Sequence, residues 1–590
     1  MQNTTTVHPS TASFDVSGLL LEACAFAEKG GWVLDTQHYH QMGGNYLLAH
    51  GMGIAVADAK TAFECPQPQN YCVFVRTRDW CPGNWEAPGR FRTAIDGQEL
   101  AATFGTEPGW AWQRGGRIEL AAGPHVVTVR DLTGFDGRFD AIYLTPCGNP
   151  VLPGDTADIV DWKDQLAGRS RLSVEEECFD LVVAGGGVAG CAAALAADSQ
   201  GLKVVLVQDR PVFGGNASNE FLIQTLGIMG KSEEILNGLN NIWETPFRDN
   251  QAHHEARDNQ AHRETTMANS GVTLLNNCQV TGLTMGADSR IRSIEVRHTH
   301  SGVIRRLKAP MYIDCTGDGW LGYWAGADYR YGREACSEFG EGWPERGALW
   351  SPEVPDSKVM GSTLTMRSVE CDHDVDFPEV PWALAVSGTE MTATRSDWRY
   401  EYTDDTLSQV DDHEAIRDHL LRAMYGMFYN AKQLPGNRRL KLSRLSFIGG
   451  KRESRRLMGD HIYSMKDITQ ATCFPDTVAE ETRCIDVHYQ QKEIGSPYDF
   501  YADAFFHKVD KYYLPFRCLY SRNIENLMMA GRCFSCSHVG LGGPRVILTC
   551  GQMGVATAYA AALCKKHATT PRTVGQVHMT ELRHMIGYTE

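Results

Sequence analysis

Phe179-Asp-Leu-Val-Val-Ala-Gly-Gly-Gly-Val-Ala-Gly-Cys-Ala-Ala-Ala-Leu-Ala-Ala197 is the stretch that decides the fold. The apolar run Leu181–Ala184 stops at Gly185, and Gly187 and Gly190 follow. An alanine-rich segment of helical composition comes next, then a second apolar run, Val204–Val207. The order is strand, glycine turn, helix, strand. In such a unit Gly185 permits the tight turn, Gly187 lets a pyrophosphate approach the backbone, and Gly190 lets the helix pack on the strand. The free N–H groups and positive dipole end of the helix then face the phosphates. A bare Gly-x-Gly-x-x-Gly says little; between two apolar runs it predicts a dinucleotide site.

The residue closing the second strand is usually acidic and holds a ribose hydroxyl. Here Gln208 stands there, followed by Asp209 and Arg210. Glutamine both donates and accepts, so Gln208 or Asp209 is the expected ribose ligand. Arg210 would suit a 2′-phosphate, but the next segment favours a different dinucleotide.

That segment is Pro211-Val-Phe-Gly-Gly-Asn-Ala-Ser-Asn-Glu220, a second glycine pair not expected of a plain nicotinamide domain. Three more motifs follow in order: Met311-Tyr-Ile-Asp-Cys-Thr-Gly-Asp-Gly-Trp320, Asn526-Leu-Met-Met-Ala-Gly-Arg-Cys533, and Gly551-Gln-Met-Gly-Val-Ala-Thr-Ala-Tyr-Ala-Ala-Ala-Leu563. Together they resemble the two-dinucleotide-binding-domain flavoproteins. The chain is similar to the FAD-dependent oxidoreductase family related to fumarate reductase and to the flavin subunit of heterodisulfide reductase. The likeness is greatest to a bacterial branch with Gly449-Gly-Lys-Arg-Glu-Ser-Arg-Arg456 and Asn523-Ile-Glu-Asn-Leu527. The resemblance implies FAD as cofactor. It puts Gly214, Gly215 and Asn216 beside the phosphates and ribityl chain, and Thr316, Gly317 and Asp318 in a cofactor turn. It puts Gly531 and Arg532 near the flavin ring, and the backbone of Val280 near adenine.

The 590 residues carry 56 basic and 72 acidic side chains, a formal charge of −16, with no basic run. That composition argues against nucleic acid and anionic membranes as partners. No apolar run approaches the roughly 18 residues that span a bilayer. The polar start, Met1-Gln-Asn-Thr-Thr-Thr-Val-His8, lacks the features of a signal peptide. The expected location is cytoplasmic. The 18 cysteines are scattered, which suits a reducing compartment, and no tight group suits an iron–sulfur cluster. The Arg248–His253 hexapeptide recurs at Arg257–His262; its histidines read as a solvated helix face rather than a metal site.

The expected fold class is multidomain. Residues 11–148 show short alternating runs and frequent turns, as in an all-β, jelly-roll-like sandwich, and resemble a galactose-binding-like, carbohydrate-binding module. A linker covers 149–178. An α/β Rossmann-type FAD-binding domain covers 179–325, with a helical insert at about 231–269, and closes over 517–590. An α+β substrate domain is inserted at 326–516; it holds Trp343, Trp350, Trp382 and Trp398 and two amphipathic helices near Ala415–Tyr429. Of the sandwich tryptophans, Trp32, Trp110 and Trp112 are expected in its core or its contacts. Trp80 and Trp85 sit in a loop and are the better candidates for a sugar or for the flavin entrance.

A flavin performs the redox step while the protein positions substrate and moves a proton. His538, in Ser535-Cys-Ser-His-Val-Gly-Leu-Gly-Gly-Pro-Arg545, is the leading base, because histidine titrates near neutrality. The same loop position would also suit a flavin-tuning donor or a covalent flavin anchor. Arg545 would stabilise negative charge on a reduced ring or hold a substrate carboxylate. His488 shares a strand face with Asp486 and makes a weaker acid–histidine candidate. Arg452, Glu453, Arg455 and Arg456 read as a domain-locking network. The expected activity is oxidation of a secondary alcohol of a sugar, glycoside or polyol, a small-molecule substrate. One competing reading is a reductase coupled to thiols or an electron carrier through Cys533 and Cys536. Another is a carbohydrate-binding protein with a vestigial flavin fold. The electron acceptor, the covalency of FAD and the oligomeric state, a homo-oligomer included, stay open.

Overall fold

A computed structural model describes residues 13–154, 156–170, 174, 176–240, 259–342, 350–386, 396–397, 400–403, 406–490, 500 and 502–588. Trp343, Trp398 and most of the repeat at 248–262, with His253 and His254, lie outside the described residues. The chain divides into two compact units: Met1–Val174 with Thr299–Val303, and Glu175–His298 with Ile304–Glu590.

The first unit holds two antiparallel sheets. One runs Val33–Asp35, Tyr46–Ala49, Gly137–Thr145, Gln69–Thr77, Ala111–Leu120, with Leu19–Glu22 also paired to Gly137–Thr145. The other runs Ala59–Cys65, Gly123–Asp131, Phe91–Ile95, Gln98–Glu99. Alternating side chains of both sheets fill one apolar core: Val73, Val75, Phe139 and Ile142 from the first, Phe63, Phe91, Ile95 and Val127 from the second. Trp32 stands edge-on between Phe91 and Phe139 in that core. Trp112 donates to the Pro153 carbonyl, and Trp110 packs on Tyr46. Trp80, expected in an open loop, is buried and donates to the Phe135 carbonyl. Trp85 is half-buried and donates to the Cys81 carbonyl. The expected linker contains a helix, Thr156–Leu166, that belongs to this unit. Its Lys163 Nζ sits 2.6 Å from Asp140, and its Trp162 donates to the Asp15 carbonyl.

The second unit is built on a parallel five-stranded sheet in the order Thr273–Leu275, Val204–Val207, Leu181–Ala184, Met311–Asp314, Leu527–Met529. The three central strands, buried at every position, read as continuous apolar runs because both faces are covered. Sequence order reverses direction at Leu181–Ala184, so a crevice opens at its C-terminal end, where α/β sheets take ligands. The helix Val188–Ser199 packs against the long helix Ile547–His567 through small residues. A Cβ on Gly554 would stand 2.1 Å from the Ala189 carbonyl oxygen. The long helix has the length and composition to cross a membrane, but 83% of its most apolar window is buried inside the fold. It is a core helix, a case that counting apolar runs in the sequence did not register.

A four-stranded sheet, Glu176–Cys178, Ile304–Lys308, Ile291–His298, Cys278–Met285, adds a second layer. The helical insert shows Glu233–Asn240 and Gln260–Ala268; His262 lies exposed on the latter and reaches the Gly238 carbonyl. Within 326–516, one helix, His413–Lys432, replaces the two expected near Ala415–Tyr429. Nothing in that stretch breaks a helix except Gly426, whose missing Cβ admits the Leu384 carbonyl oxygen at 1.7 Å.

Candidate flavin site and acid–histidine dyad

The three glycines of the first turn differ in what surrounds them. Gly185 has φ +101°, and a Cβ there would meet the Cys315 carbonyl at 2.3 Å. A Cβ on Gly190 would meet the Gly185 carbonyl at 1.9 Å, so the helix can approach the strand only without one. Gly187 has nothing within 4 Å of that position. It is the N-cap of Val188–Ser199 and supplies no side-chain cap, so the first turn of the helix keeps free N–H donors facing open space. That is the cradle a diphosphate requires.

Residues from distant stretches converge here. The Gly214 N–H donates to the Gly186 carbonyl, and Gly187 bridges to Gly214. Gly215 lies beside the Gly187 Cα, and Asn216 donates to the Lys451 carbonyl. Thr316 is fixed through its N–H and hydroxyl to Asp314. Gly317, at φ +77°, lets the Arg532 guanidinium close on the backbone. Asp318 then bridges Lys451 at 2.7 Å and Arg532 at 3.1 Å. Burial alone would raise the Asp318 carboxyl; Lys451 and Arg532, helped by the Ser454 hydroxyl, overcome this and hold it well below the ordinary aspartate range. The Arg532 Nε is buried without a protein partner, and Gly531, at φ +98°, meets only Ala189 near its Cβ position.

Gln208 is buried; its Oε1 accepts from the Gly186 N–H at 2.8 Å and its Nε2 donates to the Val212 carbonyl at 2.9 Å. It holds the glycine turn through one acceptor and one donor of its amide. Asp209 is half-buried at the same strand end. Arg210 pairs with Glu220 at 3.2 Å, which occupies the guanidinium that a 2′-phosphate would need. Val280 turns its side chain into the apolar core with Ala184 and Val207 and pairs with Val296, just before a bulge at Gly282.

His538 opens the short helix His538–Leu541 and is 1% exposed. Its Nδ1 lies 2.8 Å from Glu453 Oε2, and its backbone N–H donates to Glu334 Oε2 at 2.8 Å. Its Nε2 is buried with no protein partner. Glu453 is itself fixed by the Met360 N–H and by the Arg456 guanidinium, 3.2 Å away. Burial would raise the Glu453 carboxyl; His538 and Arg456 reverse the direction and keep it ionised. A fixed carboxylate orienting one ring nitrogen while the other stays free is the geometry of a general base.

Arg545 and His488 form a neighbouring cluster. Strand alternation does put Asp486 and His488 on one face: His488 Nε2 lies 2.8 Å from Asp486, and its Nδ1 lies 2.7 Å from Glu401. Both ring nitrogens are thus engaged, leaving neither for a substrate proton. Arg545 reaches the Asp486 carbonyl at 3.1 Å and its carboxylate at 3.5 Å, while its Nε is buried without a protein partner. Burial, with Arg452 and Arg483 nearby, weakens the Arg545 guanidinium's hold on its proton against the pull of Asp486.

The cluster Arg452, Glu453, Arg455 and Arg456, read from sequence as a domain-locking network, is distributed with Lys451 among these places. Lys451 serves Asp318, Arg452 reaches Glu401 at 2.7 Å, Glu453 orients His538, and Arg456 spans Glu453 and Glu334. Arg455 lies over the Tyr323 ring at 3.9 Å. The role of Glu453 was missed because its partner lies 85 positions away. Cys533 and Cys536 are both fully buried, and burial drives each thiol well above its usual range. Burial of this kind disfavours the thiolate that a redox dithiol uses.

The family model for FAD dependent oxidoreductases matches residues 180–586. No curated protein matches the sequence. Among solved structures, the chain is similar to a geranylgeranyl bacteriochlorophyll reductase-like protein from Thermoplasma acidophilum. The identity is 14% and the TM-score 0.31, covering 70% of this chain and 84% of that one. It is also similar to an anhydrotetracycline hydroxylase from Streptomyces rimosus, at 11% identity and TM-score 0.32, covering 69% and 66%. Its N-terminal part is similar to a family 35 carbohydrate binding module from Clostridium thermocellum, at 16% identity and TM-score 0.19, covering 22% and 99%. At those scores the structural likenesses carry no argument. The family match spans most of the sequence and agrees with the glycine cradle, and on that ground the chain belongs to the FAD dependent oxidoreductase family.

Proposed function

We propose that this FAD-dependent oxidoreductase oxidises a secondary alcohol of a sugar, glycoside or polyol, with His538 as the base that takes the hydroxyl proton. Bound FAD supplies the hydride acceptor. Gly185, Gly187 and Gly190 with Gly214, Gly215 and Asn216 would hold its diphosphate side. Thr316, Gly317, Asp318, Gly531 and Arg532 would hold the part nearer the ring, with Gln208 or Asp209 at the ribose. The observation that carries the reading is the His538–Glu453 pair: one nitrogen bound at 2.8 Å, the other buried and free. Burial excludes competing water, and the ionised Glu453 stabilises the imidazolium as it forms. Arg545, with unspent donors near the same loop, suits negative charge in the substrate or on the reduced ring. The test is anaerobic bleaching of the yellow protein by a panel of sugars, glycosides and polyols. A matching alcohol should bleach it, and His538→Ala should slow that bleaching by on the order of 10²-fold or more.

A further inference from the structure

The long helix Ile547–His567 ends on a histidine, and the chain returns through the helix Pro571–Val577 to the last helix, Met579–Ile586. Val574, Leu582 and Ile586 of the returning segment are buried in the same apolar core as Leu563, so the segment is packed in place. His578 stands immediately before the last helix and Glu581 three positions further on, a spacing that puts both on one face. The return brings that face against His567. Glu581 Oε2 lies 2.8 Å from His567 Nε2, and the rings of His567 and His578 stack with centroids 3.9 Å apart. One ligand atom from each residue, two nitrogens and one oxygen, lies within 4.8 Å of the other two. The His567 and Glu581 side chains are 27% and 33% exposed, so an ion in solution can reach them.

The donor set selects the kind of ion. Imidazole nitrogens with one carboxylate suit zinc, nickel or copper, whereas magnesium and calcium take oxygen ligands. Three protein ligands with water in the fourth position is a coordination that zinc adopts. Lys566 holds Glu581 Oε1 at 2.6 Å, which leaves Oε2 for the site. Hydrogen bonds from Lys566 and His567 hold the Glu581 carboxyl below its ordinary range, so it is ionised near neutrality. The Lys566 side chain is 63% exposed, and water and salt screen its repulsion toward a bound ion. In a tetrahedral zinc site, with bonds of about 2.0–2.1 Å, ligand atoms stand roughly 3.3 Å apart, so the three must close in from their present spacing. The two rings, 8° from parallel, must each turn about the Cβ–Cγ bond to aim at one point, and that torsion is broad and soft.

We propose that His567, His578 and Glu581 form a zinc-binding site that fastens the last helix to the end of the long helix. On binding, the hydrogen bond between His567 Nε2 and Glu581 Oε2 is exchanged for two bonds to the metal, and the His567 ring keeps its single proton on Nδ1. His578 adds one ring nitrogen, and water completes the tetrahedron. The three ligands meet only when the returning segment is folded, so the metal stabilises the folded chain over the unfolded one. Its role is to clamp the C-terminal segment, and the site stands whether or not His538 is the base.

The experiment is a calorimetric titration of zinc chloride into the flavin-loaded full chain at about pH 7.5, where ligands shed their protons readily, after a chelator has been applied and removed. The wild type should take up one equivalent with a dissociation constant on the order of 10 μM or tighter, and its thermal midpoint should rise with zinc. His578→Ala and Glu581→Gln should each bind zinc at least about 100-fold more weakly, since even the outer partners of a metal ligand are worth roughly 10–100-fold. His584, exposed on the same helix and outside the cluster, provides the control: His584→Ala should bind as the wild type does. Flavin absorbance and circular dichroism confirm that each variant is folded. A wild type that takes up no zinc overturns the proposal. So does uptake that His578→Ala and Glu581→Gln leave unchanged, or that His584→Ala weakens as much as they do, because the ion then sits on adventitious surface groups.

Discussion

His538 and Glu453, 85 positions apart in sequence, meet through a 2.8 Å contact between two fully buried side chains. The carboxylate is locked from behind by the Met360 N–H and Arg456. The imidazole therefore has one defined orientation, with Nε2 buried and without a protein partner.

Replacing Glu453 by Gln should leave the fold and bound flavin in place and lower turnover by on the order of 10²–10⁴-fold. The amide keeps the shape of the carboxylate but cannot stabilise a cationic ring. Flavin absorbance confirms loading, and single-turnover bleaching gives the rate. A Glu453→Gln protein that bleaches at the wild-type rate removes the dyad from the chemistry.

The second and third glycines of the first turn should fail in different ways. Gly190→Ala drives a Cβ to 1.9 Å from the Gly185 carbonyl and should cost roughly 1–3 kcal/mol or more of stability. Gly187→Ala meets no protein atom within 4 Å, so it should fold normally and lose FAD affinity instead. Denaturation curves and flavin titration of both variants separate these outcomes. A Gly187→Ala protein that binds flavin as tightly as wild type would place the diphosphate elsewhere.

Asp318 should give an acid-sensitive contribution to stability. Its folded carboxyl is held below the unfolded value of about 3.9, so its contribution is present above that pH and falls as the pH drops toward the folded value. Denaturant midpoints from neutrality down through pH 4 and below should decline, and Asp318→Asn should be less stable at neutrality with a flatter acid limb. A steep and unchanged acid limb in Asp318→Asn would assign the effect to other carboxylates.

Cys533→Ser and Cys536→Ser should each keep turnover within about twofold, because buried high-affinity thiols supply no thiolate. A large loss with intact flavin would revive a thiol-coupled reaction.

Elements governed by local chemistry were readable from the sequence. Leu181–Ala184, Val204–Val207 and the glycines between them follow from runs of buried β-branched residues and from spacing that only glycine satisfies. The place of His538 in the loop ahead of the closing helix Ile547–His567 was readable from the sequence. The contact of Glu453 with His538 was not, since nothing in its own segment shows that the chain folds it there. The position of Gln208 suggested a ribose; that its amide also closes the glycine turn was not legible in the sequence. Trp80 sits in a loop by composition and is buried because its indole N–H finds a carbonyl at Phe135.

The most direct measurement is the anaerobic bleaching rate of the flavin-loaded protein with sugars, glycosides and polyols, run side by side for wild type and His538→Ala. The account predicts that at least one such alcohol decolourises the wild type and that the variant, still yellow and folded, responds on the order of 10²-fold more slowly or not at all. Equal rates in the two proteins, or a wild type that none of these alcohols decolourises, would contradict it.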